Sequence, residues 1–149
     1  MKSAGDYAMA RVLFGEYAAS LDFSLAFQSF DDELDNVETK YGPPGGQILL
    51  AWWNSTLAGC VALRSLGPGT SEMKRLFVRP DHRGLGIGKT LVKRIIEQAK
   101  TLGYTRMRLD TVSRMGEAVE LYRSMGFREI SPYCHNPLED AVYLEIDLS

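Results

Sequence analysis

Glycine stands at 84, 86 and 88, between the cations Arg83 and Lys89, and this stretch carries the strongest chemical signal in the chain. Glycine takes positive φ without a steric penalty and lets another group approach the backbone. Three of them at a helix start leave a run of N–H groups facing outward. Such a terminus attracts a phosphate or pyrophosphate, helped by the helix field and the two flanking cations. Taken alone, the glycines fit equally well a flexible turn that precedes a helix. Two familiar phosphate loops fail letter by letter. The Walker pattern finds Gly88, Lys89 and Thr90 at its end but Arg83 where its first glycine belongs. The dinucleotide fingerprint needs G-x-G-x-x-G, whereas G-x-G-x-G stands here and no early strand runs into the loop. Thiol and metal chemistry are weaker readings. Cys134 and His135 are adjacent, but adjacency in sequence does not make a nucleophile and a base. Cys60 lies in an apolar run and reads as a small buried hydrophobe. With His82 and His135 the only histidines and no zinc-type spacing, no metal is expected.

A different pattern does fit. RGLGIG at 83–88 resembles the acyl-CoA pyrophosphate loop of the GCN5-related N-acetyltransferases (GNAT), whose signature is Gln or Arg, two free positions, Gly, one free position, then Gly or Ala. The resemblance runs upstream through EMKRLFVRPDH and downstream through LYRSMGF at 121–127, and covers most of residues 47 to 147. It implies acetyl-CoA as cosubstrate. The pyrophosphate would fall on the backbone of Arg83, Gly84, Leu85, Gly86, Ile87, Gly88 and Lys89. The pantetheine arm would lie along Leu76, Phe77 and Val78 in the manner of an added strand. The same resemblance implies a mixed, mostly antiparallel α/β sheet with helices on both faces. In it, the strand at 72–78 splays from the parallel strand that follows the crossover helix.

The resemblance also nominates two catalytic side chains. Acetyl transfer needs a neutral amine whose lone pair attacks the thioester, and a carboxylate nearby or linked through water can accept the proton. Glu72, at the start of the splayed strand, is that candidate. Anchoring a cationic substrate, or merely ending a strand in solvent, are its other readings. Asp110 is a second carboxylate for the same pocket. Tyr122 falls on the tyrosine of the family's LY motif, and a phenol with pKa about 10 can protonate a departing thiolate. Packing alone is its other reading. Met115 stands where many members have an asparagine that bonds the pantetheine.

The function implied is transfer of an acetyl group to a primary amine of a small molecule or peptide, by direct attack in a ternary complex. A non-catalytic acyl-CoA-binding or sensing domain and a P-loop-like nucleotide enzyme are the alternatives. Arg64, Arg75, Arg108, Arg114 and Arg128 mark either an acidic substrate or an ordinary charged surface. Trp52, Trp53, Phe23, Phe27 and Tyr133 line a pocket or fill the core. The acceptor's identity and the acyl-chain preference are not legible at this level.

The elements that must position these residues fit one domain, 1–149, with 45% apolar residues and enough length for a core without metal or disulfide. A formal net charge of −2 and the absence of a Lys/Arg block argue against nucleic acid. No membrane-length apolar run and no signal-like start point to a cytoplasmic protein without a membrane partner. A homodimer is the one protein partner left open.

Residues 6–20 read as a helix with Tyr7, Val12, Leu13, Phe14 and Tyr17 on its apolar side, and DDELDN as the start of a second. The edge strand that normally precedes the first helix in the family has no counterpart in MKSAGDYAMA, so it is either missing or the start is shortened. Strands are expected at 47–53, 57–66, 72–78, 105–110, 127–130 and 141–148. Apolar residues at 85, 87, 91, 92, 95, 96, 99 and 102 form the stripe of a helix, and Met115–Met125 form another. Strand, helix, strand from 72 to 110 asks for a parallel adjacent pair. Simple alternation puts Met73, Arg75 and Phe77 on one face of their strand.

Overall fold

The first third of the chain is helical. In the computed structural model, which describes residues 4–20, 30–113, 115–134 and 138–148, α1 is Ala4–Ser20, α2 is Phe30–Asp35 and α3 is Val37–Tyr41. Asn36 interrupts the acidic segment, so the single short helix expected there is two. Phe23, Phe27, Arg114 and His135 lie outside the described residues.

Next comes a hairpin of β1 (Gln47–Trp53) and β2 (Thr56–Gly67). Asn54 and Ser55 both take positive φ at its tip, 49° and 68°, and this left-handed pair matches the twist of the strands it joins. The chain then runs through β3 (Thr70–Val78), a single 3-10 turn at Pro80–His82 and α4 (Ile87–Thr101). It continues with β4 (Arg106–Val112), α5 (Gly116–Ser124), β5 (Arg128–Glu129) and β6 (Ala141–Asp147). The six strands form one sheet in the order β1-β2-β3-β4-β6-β5, antiparallel except for β3 and β4.

Each face of the sheet has its own core. On one, Leu91, Val92, Ile95 and Ala99 of α4 and Tyr122 of α5 pack with Leu63, Met73, Met107, Leu109 and Leu144 of the strands. On the other, Tyr7, Ala10, Leu13 and Phe14 of α1 and Val37 and Tyr41 of α3 cover Ile48, Cys60, Ala62 and Phe77. The ends of the expected α4 stripe differ, because Leu85 belongs to the preceding loop and Leu102 to the C-terminal cap. Both are exposed. Among the described residues no helix is long and apolar enough to cross a membrane.

Two irregularities in β3 shape everything near it. The first corrects the alternation: Met73 packs toward α4, while Arg75 and Phe77 face the α1–α3 side. Ala62 pairs with Lys74 and Cys60 with Phe77, so Val61 of β2 opposes both Arg75 and Leu76. This is a β-bulge, with Arg75 at φ 59°. A non-glycine residue held there costs about 1–3 kcal/mol, so the surroundings must hold it. They do so through Glu33 of α2, whose two carboxylate oxygens accept Nε and Nη2 of Arg75 at 2.7 Å each, with both side chains 3% exposed.

The second irregularity is a parting. β3 pairs with β4 only at Thr70–Arg106, Ser71–Met107 and Glu72–Arg108, whereas β4 stays paired with β6 along its whole length. Beyond Glu72, β3 and β4 make no further pairs among the described residues, which is the splayed parallel pair expected.

Removing one member of the buried ion pair leaves an uncompensated charge. Glu33→Ala should lower unfolding free energy by about 3–5 kcal/mol in urea titration, and the Glu33→Leu, Arg75→Met double variant should recover most of that loss. A single variant within about 1 kcal/mol of the parent would show that the pair does not hold the bulge.

Candidate active site

Along the half of β3 that lies past its parting from β4 runs a cleft of about 640 Å³ whose walls include Leu76, Phe77 and Val78, then His82 to Gly84, Gly86 to Gly88, Met115, and Gly116 to Ala118 and Leu121 of α5. Gly84 and Gly86 take φ of 82° and 80°. A Cβ added at either would meet no atom within 4 Å, so open space faces both. Gly86 is the N-cap of α4, and its carbonyl accepts the N–H and the hydroxyl of Thr90. The N–H groups of Ile87, Gly88 and Lys89 therefore start the helix without a helical acceptor. His82 lies on the same wall, and its Nδ1 is buried with no hydrogen-bond partner among the described residues. Loop N–H groups, a helix start and an orphaned imidazole nitrogen suit a phosphate-bearing ligand.

Of the cofactor residues expected from sequence, Leu76, Phe77, Val78, Arg83, Gly84, Gly86, Ile87 and Gly88 line this cleft, while the side chains of Leu85 and Lys89 point to solvent outside it. Arg83 does more than supply charge. Its Nε donates to the Val78 carbonyl at 3.0 Å and its guanidinium lies 6.0 Å from the Phe77 ring, so it ties the loop back to β3. Met115 lines the cleft as a thioether at the N-cap of α5.

Glu72 sits where the strands part, 2% exposed. Its Oε1 accepts Arg64 Nε at 2.7 Å and its Oε2 accepts the Tyr133 hydroxyl at 2.9 Å. Tyr133 is a hub. Its ring meets Tyr143 edge-on at 5.6 Å and lies 5.6 Å from the Arg108 guanidinium. Burial, with the charges of Glu72 and Asp110, holds its phenol far above the ordinary range. Arg108 in turn donates to Glu145 at 2.8 Å, to which Arg128 also bonds at 3.3 Å.

Tyr122 packs in the α4–α5 core, its ring 5.8 Å from that of Phe127. It is 7% exposed, and burial together with the neighbouring Tyr17 raises its pKa, so the phenol keeps its proton at neutral pH. Its neighbours Leu121 and Ala118 line the cleft, as does Tyr17, whose charge acts on it.

The model of the Acetyltransferase (GNAT) family matches residues 14–127. The chain belongs to the GNAT acetyltransferase family. It is 47% identical over 141 residues to an uncharacterized N-acetyltransferase of Schizosaccharomyces pombe, covering 93% of this chain and 86% of that one. An uncharacterized N-acetyltransferase of Dictyostelium discoideum is 29% identical, over 93% of each chain. A GNAT-family acetyltransferase from Staphylococcus aureus superimposes with a TM-score of 0.81, over 99% of this chain and 96% of that one, and at 24% identity this speaks for the fold alone. Membership makes the chain an acetyltransferase of amines in the general sense of the family.

Three contributors to the GNAT site escaped the sequence reading. Tyr17 and Ser20, at the end of α1, line the cleft, and Tyr17 also meets Phe77 at 6.0 Å between ring centroids. They are held there by Glu16, which takes two hydrogen bonds from Arg79 at 2.9 and 2.8 Å, just beyond β3. Tyr133 was legible only as an aromatic of open role. Contacts spanning 61 or 63 residues leave no local mark on the sequence.

Both thiols are poor nucleophiles. Burial pushes Cys60 up to about 12, and its Sγ contacts the Arg75 carbonyl at 3.4 Å. Partial desolvation and the charges of Asp110 and Glu72 push Cys134, the accessible one of the two, up to about 11. The thiolate is the reactive form and its fraction grows only as pH approaches these values. Iodoacetamide should therefore label native protein at Cys134 alone, slowly at pH 7.5 and still faster at pH 10 than at pH 9, with no plateau at pH 9. Rapid labelling at pH 7.5, or labelling of native Cys60, would contradict this.

Proposed function

We infer that this GNAT chain transfers the acetyl group of acetyl-CoA to a primary amine. The observation that carries the reading is the cleft itself, where β3, past its last pair with β4, leads to a glycine loop and the start of α4. The residues fit the cosubstrate. Leu76, Phe77 and Val78 would take the pantetheine arm, and the N–H groups from Gly84 to Lys89, with Arg83 and His82 beside them, the pyrophosphate. Acetyl-CoA would supply a thioester, an acyl carbon carrying a thiol leaving group. The net change breaks one C–S bond and forms one C–N bond. The amine gives up a proton and the sulfur gains one.

Glu72 is the carboxylate proposed to serve the amine. Arg64 and Tyr133 hold its two oxygens in place where the strands part, at 2.7 and 2.9 Å, so that an amine approaching there meets a fixed carboxylate. Tyr122 is the proposed proton donor to sulfur. It stays protonated at neutral pH, though its burial also makes it a weaker acid.

Isothermal titration should show acetyl-CoA binding with little affinity for ATP plus magnesium. Gly86→Val places a branched residue at φ 80° on the cleft wall, and acetyl-CoA affinity should fall tenfold or more, about 1.4 kcal/mol, with the fold intact by circular dichroism. Preference for ATP, or unchanged affinity in the variant, would overturn the assignment.

The catalytic pair is tested by rates across pH. Glu72→Gln should lower kcat/KM most at neutral pH and recover as pH rises, since more amine is then already neutral. Tyr122→Phe should keep acetyl-CoA affinity and lower kcat. Parental values for both variants at every pH would remove both roles and leave alignment of the reactants as the source of rate.

A further inference from the structure

A single row of charge crosses five of the six strands. Arg64 of β2 stands opposite Glu72 of β3, Glu72 opposite Arg108 of β4, Arg108 opposite Glu145 of β6, and Glu145 opposite Arg128 of β5. Residues paired in this way share a face of the sheet, and neighbouring strands lie about 4.8 Å apart, within reach of a side chain as long as arginine. The signs alternate, so each glutamate lies between two arginines.

The two glutamates use that position differently. Glu145 takes both of its neighbours, Arg108 Nε at 2.8 Å and Arg128 Nη2 at 3.3 Å. Glu72 takes only one. Its Oε1 accepts Arg64 Nε at 2.7 Å, while its Oε2 accepts the Tyr133 hydroxyl at 2.9 Å in place of Arg108. Tyr133 touches both sides of this arrangement, its hydroxyl on Glu72 and its ring 5.6 Å from the Arg108 guanidinium.

That difference governs what Glu72 can do. A carboxylate bonded by two guanidiniums is matched on both oxygens by fixed cations, and an arriving ammonium meets like charge there. With one guanidinium and one neutral phenol, part of the carboxylate's attraction remains for an amine. Water screens little of this, since Glu72 is 2% exposed and the Glu145 side chain 11%.

We propose that Glu145 is a positioning residue of the transfer: by holding Arg108 toward β6 it keeps that guanidinium off Glu72 and leaves the carboxylate to the acceptor amine. The proposal rests on Glu72 serving the amine and deepens that reading. Glu145 acts through Arg108, and the Tyr133 hydroxyl fills the place that Arg108 gives up.

The test measures kcat and acceptor KM by thiol release from acetyl-CoA, using the fastest acceptor from a panel of alkylamines, polyamines, amino acids and peptide N-termini. Glu145→Met removes both acceptor oxygens and frees Arg108 for its other neighbour, Glu72. The amine KM should then rise about tenfold or more, with acetyl-CoA affinity within about twofold of the parent. Glu145→Gln keeps the shape and one acceptor oxygen, and should give a smaller rise in the same direction. Adding Arg108→Met to Glu145→Met removes the intruding cation, and the KM should return to within about threefold of the parent. If Glu145 merely braced the sheet, the double variant would be at least as impaired as the single one. Independently of turnover, a crystal structure of Glu145→Met should show an Arg108 nitrogen within hydrogen-bond distance of a Glu72 oxygen. Parental rates for Glu72→Gln would remove the role of Glu72, and this proposal with it. If Glu72→Gln is impaired but Glu145→Met keeps the parental KM, or the double variant shows no recovery, the role of Glu145 alone is overturned. The same holds if Arg108 stays away from Glu72 in the variant's structure.

Discussion

The bulge at Arg75 is the constraint on which the site depends. It divides one strand in two: before it, β3 keeps its register with β2 through Lys74, and after it, Leu76 and Val78 pack toward α4 and line the cleft. The left-handed backbone at Arg75 is unfavourable for a side chain with a Cβ. What holds it is a bidentate ion pair with Glu33, enclosed on the α1–α3 side. A buried pair of this kind is weak support for overall stability, since desolvating two ions offsets much of their attraction. Its value here is positional, because the Arg75 side chain reaches Glu33 only with the strand kinked as it is. A bulge also increases local twist, in keeping with a β3 that leaves β4 three residues before it and does not rejoin.

From that parting the two sides of the site take different characters. Toward α4 and α5 the cleft is glycine backbone, apolar side chains and a helix start, surfaces suited to an extended ligand held largely by main-chain groups. Toward α1–α3 and the loop before β6, the gap is lined by charged side chains that restrain one another. α1 links the two. Glu16 fastens it to Arg79, and Tyr17 stands at the cleft while feeling the charge of Asp110. The backbone-walled cleft and the charged side of the sheet are thus built from separate sets of groups.

Much of this was legible locally. The α4 stripe, apart from its two ends, and the glycine loop are short-range patterns, and each appears where periodicity or turn chemistry places it. The parallel adjacency of β3 and β4 follows from an intervening helix, and the splay from the GNAT resemblance. The face assignment of Arg75 failed because a bulge shifts the period by one residue and nothing in MKRLF announces it. Glu72 was picked out as a carboxylate, but its restraint by Arg64 and Tyr133 was not. Both depend on how the sheet is assembled: Arg64 through the β2–β3 register and Tyr133 through a loop that returns from 61 residues away.

Acetyl-CoA is proposed to bind along β3 past its parting from β4 and at the start of α4. Amide hydrogen exchange read residue by residue tests this directly. With saturating acetyl-CoA, the amides of Leu76 to Val78 and Gly84 to Lys89 that exchange quickly in the free protein should slow by tenfold or more, while those of β5 and of the β1–β2 turn stay unchanged. Protection that spares both the β3 edge and the glycine loop, with acetyl-CoA bound, would contradict the account.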